Sequence, residues 1–394
     1  MKNSNTLSSF IVLVGVCMAH PAMSDPFSDV SAKYDVGEKK SSDPRISEFM
    51  RSEAEHISKE FPYRINLFSQ GQIAKNNAGV RASETANQLK GNSSGLVFFY
   101  ELVPSAMRVP HWHSNANEIG TVFSGKIRVT IWKGAGTPIV YTVNKDQTWI
   151  IPKATLHTLE NIGDEKTEFL VAYDTPVAAD RDFVTAWASL PDEILARSVG
   201  LAVSDIEHIK KTTSNRLSKF EPNLKPDIKR VANPLSNDMN AIAPLFQSAN
   251  GNITRLDARV NPLVNEMILQ RTVLKPGAIR IPHWYTSGNV LLYIANGLGY
   301  MTMMDDDGHP YRVTVSRGDL ISVPEGNFHG LLNIGSEDFR FYEIFNNAKA
   351  PNEITLMNGA KNMGSDVIRG TTSISKEASE KIMKNPPISY IERF

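Results

Sequence analysis

The sequence predicts a fold dominated by β-structure, with two antiparallel β-barrels and helices that flank them. Two observations predict it: an internal repeat, and many short segments rich in β-branched and aromatic residues that are separated by turn residues. The chain has 394 residues. That length favours two domains, because single hydrophobic cores seldom grow so large.

The charge balance restricts the class of partner. Lysine and arginine together number 42, as do aspartate and glutamate, so the formal net charge is zero. Proteins that bind nucleic acid or anionic membranes usually carry a basic surplus. We therefore expect a small-molecule partner and no nucleic acid.

An internal repeat organises the chain. Seven pairs of identical residues are each separated by 172 positions: Arg108 and Arg280, Pro110 and Pro282, His111 and His283, Trp112 and Trp284, Gly125 and Gly297, Pro152 and Pro324, His157 and His329. The triplet "NIG" at 161–163 recurs at 333–335 with the same offset. A constant offset means two copies of one unit with no net insertion between the matched positions.

Each copy has the pattern of β-strands joined by turns. The strand-like segments are "GKIRVTIW" (125–132) and "YTVNKDQTWIIP" (141–152) in the first copy, and "GLGYMTMM" (297–304) and "YRVTVSRGDLISVP" (311–324) in the second. The turns between them are "KGAG" at 133–136 and "DDDG" at 305–308. Many short strands with such turns are typical of antiparallel barrels or sandwiches.

Helical patterns lie outside the strands and help to divide the chain. They cover 43–61, 192–211 and 373–384, and prolines at 222, 226 and 234 mark a polar linker. The predicted parts are a signal peptide (1–24), an N-terminal helical and extended segment (25–60), a first barrel with following helices (61–215), a linker (216–240), a second barrel (241–350) and a C-terminal helical tail (351–394).

The N-terminus has the pattern of an export signal. Lys2 precedes an apolar stretch at 10–19, and Ala22 and Ser24 are small residues before a cleavage site at Asp25. The apolar stretch is too short to cross a bilayer, which needs about 20 residues. We expect export to the periplasm or the medium, with no membrane attachment once the signal is removed.

Two other interpretations of this stretch stay open. It could form a buried strand, or Cys17 could carry a lipid anchor, although Val16 stands where lipoprotein signals usually have a small residue. Without the signal the chain has no cysteine, so its stability would come from packing and metal binding rather than from disulfides.

The first copy has a candidate set of metal ligands. In a strand, His111 and His113 face one side while Trp112 faces the other. Glu118 follows five residues later, and His157 lies on a later strand. Three imidazoles and a carboxylate suit Mn, Fe, Ni or Zn, and the ligand type alone does not choose among them. The alternative is that the histidines are only hydrogen-bonded residues of the core.

These residues resemble the cupin superfamily, whose motifs are Gly-x5-His-x-His-x(3,4)-Glu-x6-Gly and Gly-x5-Pro-x-Gly-x2-His-x3-Asn. The matching residues are His111, His113, Glu118, Gly125, Pro152, His157 and Asn161. Two such units look like the bicupin oxalate decarboxylases over about residues 60 to 350. The resemblance implies two jelly-roll barrels and a manganese ion held by the three histidines and the glutamate.

The same resemblance points to an arginine and a lid. In the decarboxylases, an arginine three residues before the first histidine binds the substrate carboxylate, and Arg108 and Arg280 stand there. A salt-bridged or surface arginine is the alternative. The family's proton donor is a glutamate on a lid, but 174–187 has none. Asp180 and Asp182 are the nearest candidate donors, unless they are solvated loop charges.

The second copy keeps the turns and loses ligands. His283 and His329 remain, but Tyr285 and Val290 replace the second histidine and the glutamate, so we expect one metal per chain, in the first barrel. The two remaining histidines would be buried and hydrogen-bonded, or form a weak ligand site.

Three turn positions support this division between the copies. The second copy has glycine at 277, 318 and 326, where the first has Ser105, Asp146 and Ala154. If the backbone there needs a positive φ, the first copy accepts strained turns.

The leading hypothesis is an exported Mn-dependent bicupin enzyme that acts on oxalate or a similar small carboxylate. Decarboxylase and oxidase or dioxygenase chemistry both stay open, because the lid glutamate is absent. Other hypotheses are a non-catalytic binding or storage protein and a metal-dependent sugar isomerase or epimerase. The flanking helices permit a homo-oligomer.

Overall fold

A computed structural model of the chain describes residues 40–84, 88–134, 136–211, 216–220, 234–347, 351–384 and 390–394. The predicted signal peptide lies outside these residues, as does most of the predicted linker. Strands are numbered β1 to β26 and helices α1 to α7 along the chain.

The first copy folds into two facing antiparallel sheets. The larger runs in the order β14-β9-β6-β11-β4-β3-β2, and the smaller runs β12-β5-β10-β7-β8 with β13 also paired to β5. The larger sheet contains β2 (Gln72–Asn76), β3 (Gly79–Ser83), β4 (Leu96–Leu102), β6 (Glu118–Ser124), β9 (Gln147–Ile151), β11 (Thr167–Tyr173) and β14 (Ser236–Asp238). The smaller contains β5 (Ala106–His113), β7 (Lys126–Trp132), β8 (Ile139–Asn144), β10 (Leu156–Asn161), β12 (Asp180–Asp182) and β13 (Leu217–Lys219).

The second copy repeats this arrangement. Its larger sheet runs β1-β22-β19-β24-β17-β16-β15, and its smaller runs β21-β20-β23-β18-β25 with β26 also paired to β18. The larger sheet contains β1 (Arg64–Asn66), β15 (Phe246–Ser248), β16 (Gly251–Leu256), β17 (Ile268–Leu274), β19 (Val290–Asn296), β22 (Asp319–Val323) and β24 (Phe339–Phe345). The smaller contains β18 (Ala278–Tyr285), β20 (Leu298–Met304), β21 (Pro310–Ser316), β23 (Phe328–Asn333), β25 (Glu353–Thr355) and β26 (Ile391–Arg393). The two jelly rolls that the sequence predicts are confirmed.

Short helices flank the barrels. They are α1 (Pro44–Glu53), α2 (Phe183–Ala188), α3 (Asp192–Val199), α4 (Glu207–Lys211), α5 (Leu356–Met363), α6 (Ser365–Thr372) and α7 (Lys376–Lys384), with a 3₁₀ turn at Val203–Ile206. The pattern predicted at 192–211 is interrupted because Gly200 adopts a left-handed conformation (φ 72°) and ends α3. Among the described residues, no helix is long and apolar enough to cross a membrane.

The two barrels exchange strands. Strand β1 lies at the start of the predicted first barrel (61–215) but pairs with β22 of the second, whereas β14 precedes the second barrel and pairs with β9 of the first. Strands β13 and β14 lie within the predicted linker, and β25 and β26 lie within the predicted helical tail. The segments outside the two repeats therefore complete the edges of both barrels.

A hydrophobic core joins the barrels. It combines buried residues of the first barrel, such as Val97 and Phe99, with Leu291 and Tyr293 of the second. Phe123 and Tyr293 stack across this contact with ring centroids 5.9 Å apart. Each barrel also has a core of its own. The contact between the barrels thus contains a shared apolar core, beside ion pairs such as those of Arg317 with Glu168 and of Arg340 with Asp146.

Backbone geometry confirms the expected difference at the turns. Ser105, Asp146 and Ala154 have φ values of 58°, 64° and 60°, and the glycines at the matching positions of the second copy also have positive φ. Non-glycine residues in this conformation are disfavoured by about 1 kcal/mol each. The first barrel keeps strained turns that the second barrel avoids.

Leu291→Ala tests the coupling between the barrels. Leu291 is fully buried in the shared core, so the substitution should lower the free energy of unfolding by about 2–5 kcal/mol. Because both barrels pack on this core, calorimetry should show the unfolding of both shifted to lower temperature. Leu356→Ala is the matched control, since Leu356 is exposed and its loss should change stability by less than about 0.5 kcal/mol. A shift confined to one of two separate transitions would contradict the coupling.

Candidate metal centre

A β-bulge at the start of the site aims Arg108 into the first barrel. On β10, His157 lies opposite His111 and Leu159 lies opposite Arg108. The step on β10 is therefore two residues while the step on β5 is three, which places one extra residue in β5. Pro110 lies in this irregular stretch. Proline has no backbone N–H to donate, and at a bulge no regular hydrogen bond between the strands is lost as a result. As a result Arg108 and His111 are both buried on the inner side.

The four predicted ligand residues come together inside the first barrel. His111 and His113 alternate with Trp112 along β5, His157 is the second residue of β10 on the same sheet, and Glu118 begins β6 on the facing sheet. All four side chains are at most 2% exposed. One ligand atom from each lies within 4.8 Å of every other. Their role as metal ligands stays a prediction, but the geometry it requires is present.

Backbone carbonyls orient two of the imidazoles. His111 Nδ1 lies 2.7 Å from the carbonyl oxygen of Val109, and His157 Nδ1 lies 2.8 Å from that of Thr155. A carbonyl can only accept, so each Nδ1 carries the proton and each Nε2 presents a lone pair. The third imidazole is held by packing, because the His113 ring lies 4.6 Å from the ring of Tyr173.

The Glu118 carboxylate is fixed at one oxygen and open at the other. Trp149 Nε1 donates a hydrogen bond of 2.7 Å to Oε1. Oε2 lies 3.3 Å from Nε2 of both His113 and His157, with no hydrogen bond of normal geometry to any of these three atoms among the described residues. Buried polar atoms without partners are costly in a folded protein. A cation bonded to them would remove that cost, so the residues fit a metal.

The protonation states also suit a cation. Burial lowers the pKa of His111 well below its usual value, and the charge of Arg108 lowers it further. Burial alone would raise the pKa of Glu118, but the electrostatic influence of the adjacent His157 and His113 outweighs it and holds the pKa well below its ordinary range. Near neutral pH, His111 is therefore neutral and Glu118 is charged, which are the states that metal binding needs.

Arg108 is bound by the two predicted acid candidates. It donates 2.7 Å from Nη1 to Asp182 Oδ1 and 2.5 Å from Nη2 to Asp180 Oδ1. Arg216 forms a second ion pair with Asp180. The alternative that Asp180 and Asp182 are solvated loop charges is wrong, because both carboxylates are nearly buried and paired.

Strand β12 brings these aspartates to the site. It pairs antiparallel with β5, so that Asp180 lies opposite His113 and Asp182 lies opposite His111. Residues directly opposite in a sheet point to the same face. Arg181 between them is exposed. The segment that stands where the decarboxylases have a lid thus closes over the ligands as an edge strand.

The second barrel keeps the same frame around a different set of side chains. The bulge recurs on β18, where His283 lies opposite His329 and Arg280 lies opposite Leu331. Arg280 again pairs with a carboxylate, that of Glu353, at 2.7 Å. Burial lowers the pKa of His283 well below its usual value and that of His329 to about 4, so both imidazoles are neutral.

Sequence reasoning missed two residues at these sites. Trp149 carries the only hydrogen bond that the described residues give to Glu118 Oε1. Glu343 lies beside His283 and His329, so these histidines have a carboxylate nearby although Val290 replaces the ligand glutamate. A signal for Glu343 was available, because in "FRFYEIF" it alternates with phenylalanines on one face of a strand.

The fold and the first site together define a class: a metal-binding bicupin, with two jelly rolls and a ligand set of three histidines and one glutamate inside the first. Comparison with known proteins agrees. The chain belongs to the cupin family, whose description matches residues 65–207 and 238–379.

Relatives of known function extend this comparison. Oxalate decarboxylase OxdC of Bacillus subtilis is 29% identical over 254 residues, which span 62% of this chain and 65% of that protein. An oxalate decarboxylase of Arthroderma benhamiae is 24% identical over 280 residues, 62% of this chain and 64% of that protein. The chain therefore matches somewhat less than two thirds of the length of each decarboxylase. A probable germin-like protein of Arabidopsis thaliana is 31% identical over 111 residues, 28% of this chain and 52% of that protein.

A solved structure supports the fold across nearly the whole chain. It is that of Bacillus subtilis oxalate decarboxylase with Mn(II) centres, and it superposes with a TM-score of 0.75 at 19% identity, covering 88% of this chain and 94% of that one. At this identity, the likeness establishes the shared architecture.

Trp149→Phe tests how much the hydrogen bond from Trp149 to Glu118 contributes to the metal affinity of the site. The substitution keeps an aromatic ring but removes the hydrogen bond to Oε1, so the carboxylate loses its orientation. Removing such a supporting bond typically weakens metal affinity about 10- to 100-fold. Titration with Mn²⁺, followed by electron paramagnetic resonance, should show this loss. Trp112→Phe is the control, because Trp112 faces away from the ligands, and equal effects of the two substitutions would contradict the assignment.

Proposed function

We propose that this chain is a manganese-dependent cupin enzyme that acts on oxalate or a similar small carboxylate at the first barrel. The observation that carries the proposal is the proximity of a buried guanidinium, that of Arg108, to the His111 cluster, in which the ligand atoms of His113, His157 and Glu118 have no hydrogen-bond partner among the described residues. The similarity to two oxalate decarboxylases supports the choice of substrate class. Export through residues 1–24 is part of the same proposal.

Each ligand residue has a defined task in this proposal. His111, His113 and His157 hold the metal through Nε2, and Glu118 holds it through Oε2 while Trp149 retains Oε1. Manganese bound there supplies positive charge for a substrate carboxylate and a centre for one-electron chemistry. Fe, Ni and Zn also fit the donor set. The buried setting excludes bulk water from the reacting groups.

Arg108 binds the substrate in exchange for an aspartate. Its guanidinium offers a fork that matches a carboxylate with two hydrogen bonds, and Asp180 and Asp182 now occupy that fork. A substrate carboxylate displaces one of them, so substrate entry requires β12 to move away from β5. The displaced aspartate is then free to turn toward the substrate and to exchange a proton with it.

Two reactions of oxalate are compatible with this arrangement. In decarboxylation the carbon–carbon bond breaks, one product is CO₂, and a proton adds to the other carbon to give formate. In oxidation the same bond breaks, and O₂ takes two electrons and two protons to give H₂O₂ beside two CO₂. A specific observation favours oxidation as the second candidate. Residues 174–187 have no glutamate, and the aspartates there are bound to Arg108.

Turnover of oxalate by the manganese-loaded protein tests the proposed function. Decarboxylation should give formate and CO₂ in equal amounts, with no H₂O₂. Oxidation should give one H₂O₂ for every two CO₂. Metal removal with a chelator should abolish either activity, and added Mn²⁺ should restore it. Absence of all three products from oxalate and from other short dicarboxylates would overturn the proposal.

Arg108→Lys tests substrate binding within the active enzyme. Lysine keeps the charge but cannot form the two-bond fork, and loss of a hydrogen bond to a charged group is worth about 1.5–3 kcal/mol. The value of kcat/KM for oxalate should therefore fall roughly 10- to 100-fold. Arg280→Lys is a matched control, because Arg280 is equally buried and ion-paired in the second barrel. Equal losses in both variants would assign Arg108 a structural role.

A further inference from the structure

The second barrel contains a polar cluster that the repeat does not predict. His283, His329 and Glu343 are at most 1% exposed, and one ligand atom from each lies within 4.8 Å of the others. We propose that this cluster is a second metal site, which binds a divalent transition-metal cation through two imidazoles and a carboxylate. It differs in composition from the first site, because its carboxylate comes from another strand.

Two unpartnered nitrogen atoms point to a cation. His283 Nδ1 lies 2.8 Å from the carbonyl oxygen of Ile281, and His329 Nδ1 lies 3.0 Å from that of Asn327. The protons therefore sit on Nδ1, and each Nε2 presents a lone pair. Neither Nε2 atom has a hydrogen-bond partner in the described part of the chain, although both side chains are fully buried. A buried lone pair without a donor is costly, and a metal ion would use both.

Glu343 is held in a fixed orientation. Tyr285 donates 2.7 Å to its Oε1, while Gln270 and Thr272 donate 2.6 Å and 3.1 Å to its Oε2. Each carboxylate oxygen has more than one lone pair, so Oε1 can accept the bond from Tyr285 and still bind a cation. Such supporting hydrogen bonds to a ligating carboxylate are usual in metal sites.

The first copy has none of the residues that place this carboxylate. At positions 172 residues earlier, it has Val171 instead of Glu343, Phe98 instead of Gln270, Tyr100 instead of Thr272 and His113 instead of Tyr285. Strand pairing confirms the equivalence, since Val171 lies opposite Phe98 as Glu343 lies opposite Gln270. If the second barrel had only lost the ligands of the first, no new carboxylate would be expected beside its histidines. Here a carboxylate and its three donors occur together, which indicates a rebuilt site.

The rebuilt site should bind metal more weakly than the first. It offers two nitrogen ligands instead of three, and its carboxylate already accepts three hydrogen bonds. Imidazole-rich donor sets favour transition metals over Mg²⁺ and Ca²⁺. The full chain should therefore bind two equivalents of such a cation in two steps, rather than the single equivalent that the sequence alone predicts.

Cobalt titration of the full-length protein tests the proposal. The double variant His111→Ala, His113→Ala leaves the first site with one imidazole and one carboxylate, so it should bind one equivalent of Co²⁺, in the second barrel, and show its visible absorption. Adding His329→Ala or Glu343→Gln should weaken that binding at least 10-fold. Tyr285→Phe should weaken it less than His329→Ala does, because the hydroxyl supports Glu343 without binding the metal. Circular dichroism and the melting temperature check that each variant is folded.

An exposed acidic turn provides the specificity control. Asp305, Asp307 and His309 also lie close together, with the His309 side chain 70% exposed. His309→Ala in the background of the His111→Ala, His113→Ala double variant should leave Co²⁺ binding unchanged. The proposal is overturned if the folded double variant binds no Co²⁺, or if both further variants, His329→Ala and Glu343→Gln, fold and bind Co²⁺ as tightly as their parent. Either result would make the cluster a hydrogen-bonded part of the core.

Discussion

The first barrel depends on one constraint. A buried carboxylate oxygen lies close to imidazole nitrogens that, like it, lack hydrogen-bond partners. Oε2 of Glu118 lies 3.3 Å from Nε2 of both His113 and His157. The carbonyl oxygen of Thr155 accepts from His157 and the indole N–H of Trp149 donates to Glu118 Oε1, and both bonds leave the inward atoms of these side chains without a partner among the described residues. Such an arrangement is costly without a cation and well suited to one. The bulge, the facing sheets and β12 all serve to place side chains around it.

The two barrels apply one scaffold to two ligand sets. Both have a bulge after a buried arginine, and both pair that arginine with a carboxylate from a short edge strand. They differ in where the inner carboxylate originates, at the start of β6 in the first barrel and in the middle of β24 in the second. Because neighbouring strands meet inside a jelly roll, different positions can bring a carboxylate to the same central space. The loss of two ligands from their usual positions in a repeat thus does not by itself establish loss of the site.

The sequence predicts those parts of the structure that depend on local periodicity. Alternation along a strand places His111 and His113 on one face, and the constant offset predicts two copies of one fold. The strained turns at Ser105 and Ala154 were also predictable, because glycine marks the equivalent positions of the other copy.

The remaining features depend on pairings between distant segments. The bonds of Arg108 to two aspartates require β12 to return to β5 after about 70 residues, and the local sequence does not encode that return. The same is true of the strand exchange between barrels and of Glu343, whose neighbours lie on three other strands. Register between strands is set by the packing of the whole barrel, so a single-sequence pattern does not determine it.

Anomalous diffraction from crystals grown with Mn²⁺ tests most directly the claim that the first barrel is built around a cation. Data collected on both sides of the manganese absorption edge identify the ion and its ligands. We expect a strong peak bonded to the three imidazole Nε2 atoms and to the Glu118 carboxylate of the first barrel. A fully ordered barrel without that peak, with the same four side chains hydrogen-bonded to water instead, would contradict it.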